Sequence, residues 1–113
     1  MCSQEAIRSL IVSQYALQTN EIAVFHHTGC GMTGFEEEME RTVRGRMREE
    51  LERVNASEDE KKEIEQMGFL GLVGTPTDSV RRDVDLIRQH PLFRNTIITG
   101  WVHDIETGRV SSL

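Results

Sequence analysis

The chain has 113 residues, a length that fits one domain with a modest core. Its net charge of −6 argues against a nucleic-acid-binding or anionic-membrane-binding surface, and no apolar run is long enough to span a bilayer. Aromatic residues make up only 5%, so the core must rest on Leu, Ile, Val and Met.

The opening Met1-Cys2-Ser3-Gln4-Glu5 has no basic region followed by an apolar stretch, so no secretory signal is expected. A cytoplasmic protein, touching neither nucleic acid nor membrane, is the expectation. Cys2 and Cys30 are the only cysteines, too few for a disulfide scaffold. In a reducing compartment a thiolate near histidines points to a metal or redox site, whereas an isolated cysteine reads first as a small buried hydrophobe.

Ser3 to Leu17 reads as a helix, with Ile7, Leu10, Ile11, Tyr15 and Leu17 at roughly helical spacing and Ser3 as N-cap. Asn20, just beyond, can end it. Glu21 to His27 reads as a strand; the run Ile22-Ala23-Val24-Phe25 predicts burial on both faces, as in a parallel sheet. Three glycines between Thr28 and Gly34 make the next segment a loop.

Phe35 to about Val54 predicts a charged, solvated helix with acid first and base later, matching the helix dipole. Ser57-Glu58-Asp59-Glu60 is a capping box for a further helix ending near Gly68. Asn55-Ala56-Ser57 fits a glycosylation sequon, which carries little weight without a secretory signal. Residues 69–74 read as an apolar, Gly-broken loop. Thr77 or Asp78 is expected to cap a helix running to about Gln89, with Val80, Val84 and Ile87 as its buried stripe. His90-Pro91 stops it. Thr96 to Val102 predicts a second buried strand, Glu106-Thr107-Gly108 a turn, and Arg109 to Leu113 a short antiparallel strand. The order is that of an α/β fold with at least one parallel strand pair.

The stretch His26-His27-Thr28-Gly29-Cys30-Gly31 follows the first strand directly. Ligand-binding residues of open α/β sheets gather at the carboxyl ends of strands. His27 and Cys30 lie three apart across a Gly-bearing turn, a spacing that lets an imidazole and a thiolate meet at one metal. On that spacing alone zinc binding stays one reading among several. His26 competes with His27, although on an alternating strand the two point to opposite faces.

Two blocks of sequence narrow the choice. Glu21-Ile22-Ala23-Val24-Phe25-His26-His27-Thr28-Gly29-Cys30-Gly31-Met32, preceded by a helix containing Arg8-Ser9-Leu10, resembles the second half of the β-class carbonic anhydrase signature. Gly100-Trp101-Val102-His103-Asp104-Ile105-Glu106-Thr107-Gly108-Arg109-Val110 is similar to that family's terminal strand and hairpin. The resemblance implies a mostly parallel α/β sheet with a C-terminal antiparallel strand, residues 1–113 forming one truncated domain, and assembly as a homodimer or larger. It implies Zn2+ as cofactor, with His27 and Cys30 as ligands, and carbon dioxide and bicarbonate as reactants. In that reaction zinc lowers the pKa of bound water toward about 7, and the resulting hydroxide attacks carbon dioxide.

The family's first motif, C-x-D-x-R, does not occur. It supplies one zinc Cys and a catalytic Asp-Arg pair, so the resemblance identifies no catalytic residue here. By alignment Met1 falls just after the family's Asn-Ala-Gly-Gly turn. The expected consequences are impaired activity for this chain alone and an open edge on the first strand, which invites pairing with another chain. Cys2, His26 or a neighbouring subunit are the candidate sources of a third ligand, with an ordinary terminal residue the plainer reading of Cys2. His90 and His103 read as surface or satisfied-core histidines, and Trp101 as packing at a sheet or subunit boundary. The alternatives are an inactive zinc-binding or oligomerisation module, a fragment of a longer enzyme, and a thiol-redox role for Cys30. Carbonyl sulfide and carbon disulfide stay open as other small linear ligands.

Overall fold

The computed structural model describes residues 2–32, 37–69 and 74–113. Among these residues four helices, α1 (Gln4–Leu17), α2 (Glu37–Arg53), α3 (Glu58–Glu65) and α4 (Pro76–Gln89), accompany three strands, β1 (Glu21–His27), β2 (Ile97–His103) and β3 (Val110–Ser112). The strand order is β1-β2-β3. β1 runs parallel to β2, from Glu21 beside Ile97 to His27 beside His103. β3 runs antiparallel to β2, with Trp101 beside Ser112 and His103 beside Val110. The expected α/β class holds, but the sheet is less parallel than expected: one pair is parallel and one antiparallel.

The strands show one face to a packed core. Val80, Val84, Ile87, Phe93 and Ile98 are buried together, and Ile7, Leu10, Ile11, Ile22, Val24 and Val102 pack against them. Burying such side chains removes apolar surface from water and is the main drive for this arrangement. The stripe predicted for α4 is therefore its core face, joined by two buried polar residues, Ser79 and Asp83. Gly100 makes the helix–sheet approach close: a Cβ there would lie 2.6 Å from Val80 Cγ1. Arg88 ties α4 to β2 by donating from Nη2 to the Ile98 carbonyl at 2.8 Å.

The other face of the sheet departs from expectation. Burial alternates along β1, leaving Glu21, Ala23, Phe25 and His27 exposed, so the strand is not buried on both faces. Among the described residues the helical layer that packs on β1 and β2 lies on one side only. On the open side Phe25 and Trp101 stack with ring centroids 6.0 Å apart, and Trp101 Nε1 donates to Thr99 Oγ1 at 2.9 Å.

Helix ends follow local chemistry. Ser3 caps α1 by accepting from the Ala6 N–H, as expected. The helix stops at Leu17, as expected, where Gln18 takes the left-handed conformation and closes the end on the Ser13 carbonyl; Asn20 plays no part in the cap. Leu17 is 72% exposed, so the apolar stripe of α1 ends earlier than its spacing suggests. α4 starts with Thr75 as N-cap, Pro76 in the first turn and Asp78 closing the capping box. Neither Thr77 nor Asp78 is the cap itself. The Ser57–Glu60 capping box is present, and α3 ends at Glu65, short of Gly68. The expected helical start at Phe35 and most of the 69–74 loop lie outside the described residues.

Candidate metal centre

His27 ends β1 and stands beside His103 at the end of β2, at the carboxyl ends of two parallel strands. Period-two alternation sends His26 to the inner face and His27 to the outer one. The loop that follows is pinned to the end of β2. Thr28 N–H donates to the His103 carbonyl at 2.9 Å, and Thr28 Oγ1 accepts from the Ile105 N–H at 3.1 Å. Gly29 turns the chain with φ at +64°, and a Cβ there would lie 3.0 Å from Ile105 Cδ1. The turn beneath is set by Asp104, whose Oδ1 accepts from the Glu106 and Thr107 N–H groups. Gly108, at φ +73°, donates to the Asp104 carbonyl.

His27 Nδ1 lies 2.8 Å from the Thr28 carbonyl oxygen. A carbonyl only accepts, so this contact places the proton on Nδ1 and leaves Nε2 as the lone-pair nitrogen, the arrangement a metal-binding imidazole needs. Cys30 is a partly exposed free thiol three residues on.

His26 does separate work. Its Nε2 lies 3.0 Å from Asp83 Oδ2, with both side chains largely buried. Asp83 Oδ1 accepts from the Cys2 N–H at 2.9 Å, so one carboxylate joins α4, the end of β1 and the start of the chain. Burial, and then the Asp83 charge, push the Cys2 thiol above its ordinary range. Among the described residues no three His, Cys, Asp or Glu side chains stand together as a metal-binding group. A catalytic zinc keeps three protein ligands. Within one copy the described residues do not complete a zinc site.

Sequence reasoning missed Asp83. Asp83 lies on the same α4 face as Val80 and Val84, and a charged residue at a core-facing helical position was the available signal. His90, read as surface or satisfied core, is partly exposed and its Nδ1 accepts from the Leu92 N–H, capping the short 3-10 turn Pro91–Phe93.

Comparison with known proteins shows this helix-backed sheet to be a β-carbonic anhydrase-like fold. A carbon disulfide hydrolase of an Acidianus species is 32% identical over 96% of this chain and 58% of its own length. Beta-carbonic anhydrase 1 of Mycobacterium bovis is 27% identical over 98% of this chain and 60% of its own length. A carbonic anhydrase from Glaciozyma antarctica superposes with a TM-score of 0.74 at 28% identity, covering 96% of this chain and 59% of that one. The chain is a relative of the β-class carbonic anhydrases. It spans somewhat over half the length of the curated relatives it matches. No family model matches it. Among the described residues no helix is long and apolar enough to cross a membrane.

Proposed function

We propose that residues 1–113 act as one β-carbonic anhydrase-like domain carrying half of a zinc site, with His27 and Cys30 as its ligands. The reaction of the completed site is reversible hydration of carbon dioxide to bicarbonate, and this chain alone is impaired in it. The observation that carries the reading is the placement of His27 and Cys30 at the carboxyl end of β1, with His27 Nε2 free of the Thr28 contact. Cys2 is the remaining candidate ligand within the chain. Its backbone N–H is held at the inner face by Asp83, on the side to which His26 points, and its thiol is held protonated by burial and that carboxylate.

A second reading is an inactive zinc-binding or assembly module derived from the family. The lack of a third donor among the described residues favours it. A carbon disulfide hydrolase among the relatives makes carbon disulfide a further substrate to assay. Homo-oligomerisation and a cytoplasmic setting accompany both readings.

The deciding experiment measures zinc per chain on metal-replete protein and carbon dioxide hydration on the same sample, with His27→Ala and Cys30→Ser alongside. Bound zinc that both variants lose, together with measurable hydration, supports the enzyme reading. Bound zinc without hydration favours the module. Zinc retained by both variants, or none bound by the parent chain, removes His27 and Cys30 as ligands.

A further inference from the structure

Thr28 meets its surroundings through every polar group it has. Its N–H donates to the His103 carbonyl at 2.9 Å. Its Oγ1 accepts from the Ile105 N–H at 3.1 Å. Its carbonyl oxygen lies 2.8 Å from His27 Nδ1. The first two contacts come from the end of β2 and the turn that follows it; the last goes to the imidazole of the candidate metal centre. That turn is closed on itself. The Asp104 N–H donates to the Arg109 carbonyl at 2.8 Å, and Asp104 Oδ1 accepts from the Glu106 N–H at 2.9 Å. The Ile105 N–H is thus presented from a fixed frame.

We infer that Thr28 is a positioning residue: its hydroxyl, clasped by the Ile105 N–H of the β2–β3 hairpin, holds its carbonyl on His27 Nδ1 and so reserves Nε2 for a metal.

Local chemistry makes the clasp necessary. The peptide that carries the Thr28 carbonyl leads into Gly29, with Gly31 two residues further on. A glycine backbone rotates more freely than any other, so nothing local keeps that carbonyl in place. The hairpin supplies the restraint. The Thr28 N–H is fixed on one side, the hydroxyl is fixed through the side chain, and Ile105 crowds the other side, where a Cβ on Gly29 would lie 3.0 Å from Ile105 Cδ1. Threonine suits the position because a β-branched side chain is stiff about χ1. Holding the hydroxyl therefore holds the backbone that bears it.

A neutral imidazole carries one proton, and the hydrogen bond available to its ring decides which nitrogen keeps it. With the Thr28 carbonyl in place the proton sits on Nδ1. With the carbonyl turned away, both tautomers are open and Nε2 is no longer reserved. The consequence for metal binding rests on the His27–Cys30 reading above; control of the tautomer does not.

The first test is the His27 tautomer in the metal-free, isotope-labelled full chain. It is read from long-range proton–nitrogen correlations of the ring at about pH 8.5, above the ordinary imidazole range. The parent should show the Nδ1–H form. Thr28→Val keeps the branched shape and the backbone bonds and removes only the acceptor. It should populate the Nε2–H form and let the Ile105 amide exchange about tenfold faster. Thr28→Ser keeps the hydroxyl and should match the parent. Asp104→Ala leaves Thr28 intact, loosens the turn that presents Ile105, and should shift the tautomer as Thr28→Val does. A Thr28→Val chain that fails to fold therefore leaves the test standing. A parent in the Nε2–H form, a folded Thr28→Val or Asp104→Ala chain with the parent's tautomer, or a Thr28→Ser chain that loses it would overturn the inference. With zinc alone as probe, Thr28→Val should bind about tenfold more weakly than the parent, as is usual when the group behind a metal ligand is disturbed. Equal affinities beside a shifted tautomer would remove the metal role. A parent chain that binds no zinc ends the His27–Cys30 reading, and the tautomer still decides what Thr28 does.

Discussion

The chain makes helices in two ways. α4 begins with a capping box at Thr75 and Asp78 and buries Ser79, Val80, Asp83, Val84 and Ile87 against the sheet. α3 begins with an equally complete capping box at Ser57 and Glu60, yet neither α2 nor α3 has a buried residue. The α2–α3 hairpin is held by ion pairs and hydrogen bonds: Arg48 with Glu65, Lys61 with Glu52 at 2.7 Å, and Arg44 reaching the Glu65 and Met67 carbonyls. Local capping is the same in both regions, so burial makes the difference. Capping decides where a helix starts; the apolar stripe decides whether the rest of the molecule depends on it.

The comparison breaks most sharply at Phe93, which is 1% exposed. Phe93→Ala should cost about 3–5 kcal/mol in urea unfolding, through lost burial and the cavity left behind. Gly100→Ala forces a methyl group into Val80 and should cost about 1–3 kcal/mol in the same assay. Asp83→Ala leaves the His26 ring and the Cys2 N–H without their carboxylate and should cost a similar 1–3 kcal/mol or so. It should also speed alkylation of Cys2, since the Asp83 charge helps hold that thiol protonated.

Smaller effects sharpen the contrast. Thr75→Ala removes one cap and should cost about 1 kcal/mol, readable as faster hydrogen exchange in the first turn of α4. Arg48→Ala should leave global unfolding unchanged, because its partner is exposed and water screens the pair. Its effect should show locally, with acid. Arg48 holds the Glu65 carboxyl below its usual range. A lowered folded pKa means that the contribution is complete above the ordinary value of 4.5 and is lost as pH falls through the depressed one. Hydrogen-exchange protection factors in α3, corrected for the intrinsic pH dependence of exchange, should therefore fall on acidification below about pH 4.5, while α4 amides next to Phe93 keep theirs until global unfolding.

Much of this architecture was legible in the sequence because it is local. Helical spacing located Val80, Val84 and Ile87, and the His-x-x-Cys run at a strand end located the candidate site. The cap of α4 was misplaced by two or three residues because Thr75-Pro76-Thr77-Asp78 offers several capping side chains, and Pro fits best just inside the helix start. The faces of β1 were misread for a different reason. Ile22, Ala23, Val24 and Phe25 are all apolar, so composition hides an alternation that only packing reveals. Asp83 and His26 were not paired in advance because they meet only when α4 lies on the sheet. The absence of C-x-D-x-R was itself legible in the sequence.

The adjacent histidines of β1 also limit how this strand can change. A strand has only two phases, and His26 and His27 occupy one each. Adding or deleting one residue within β1 exchanges them, sending the Asp83 partner outward and the Thr28-bonded imidazole into the core. Substitutions along the strand can accumulate one at a time, but length can change only in steps of two. The α2–α3 hairpin, whose side chains stay outside the core, carries no such phase, and variation in chain length has room to collect there.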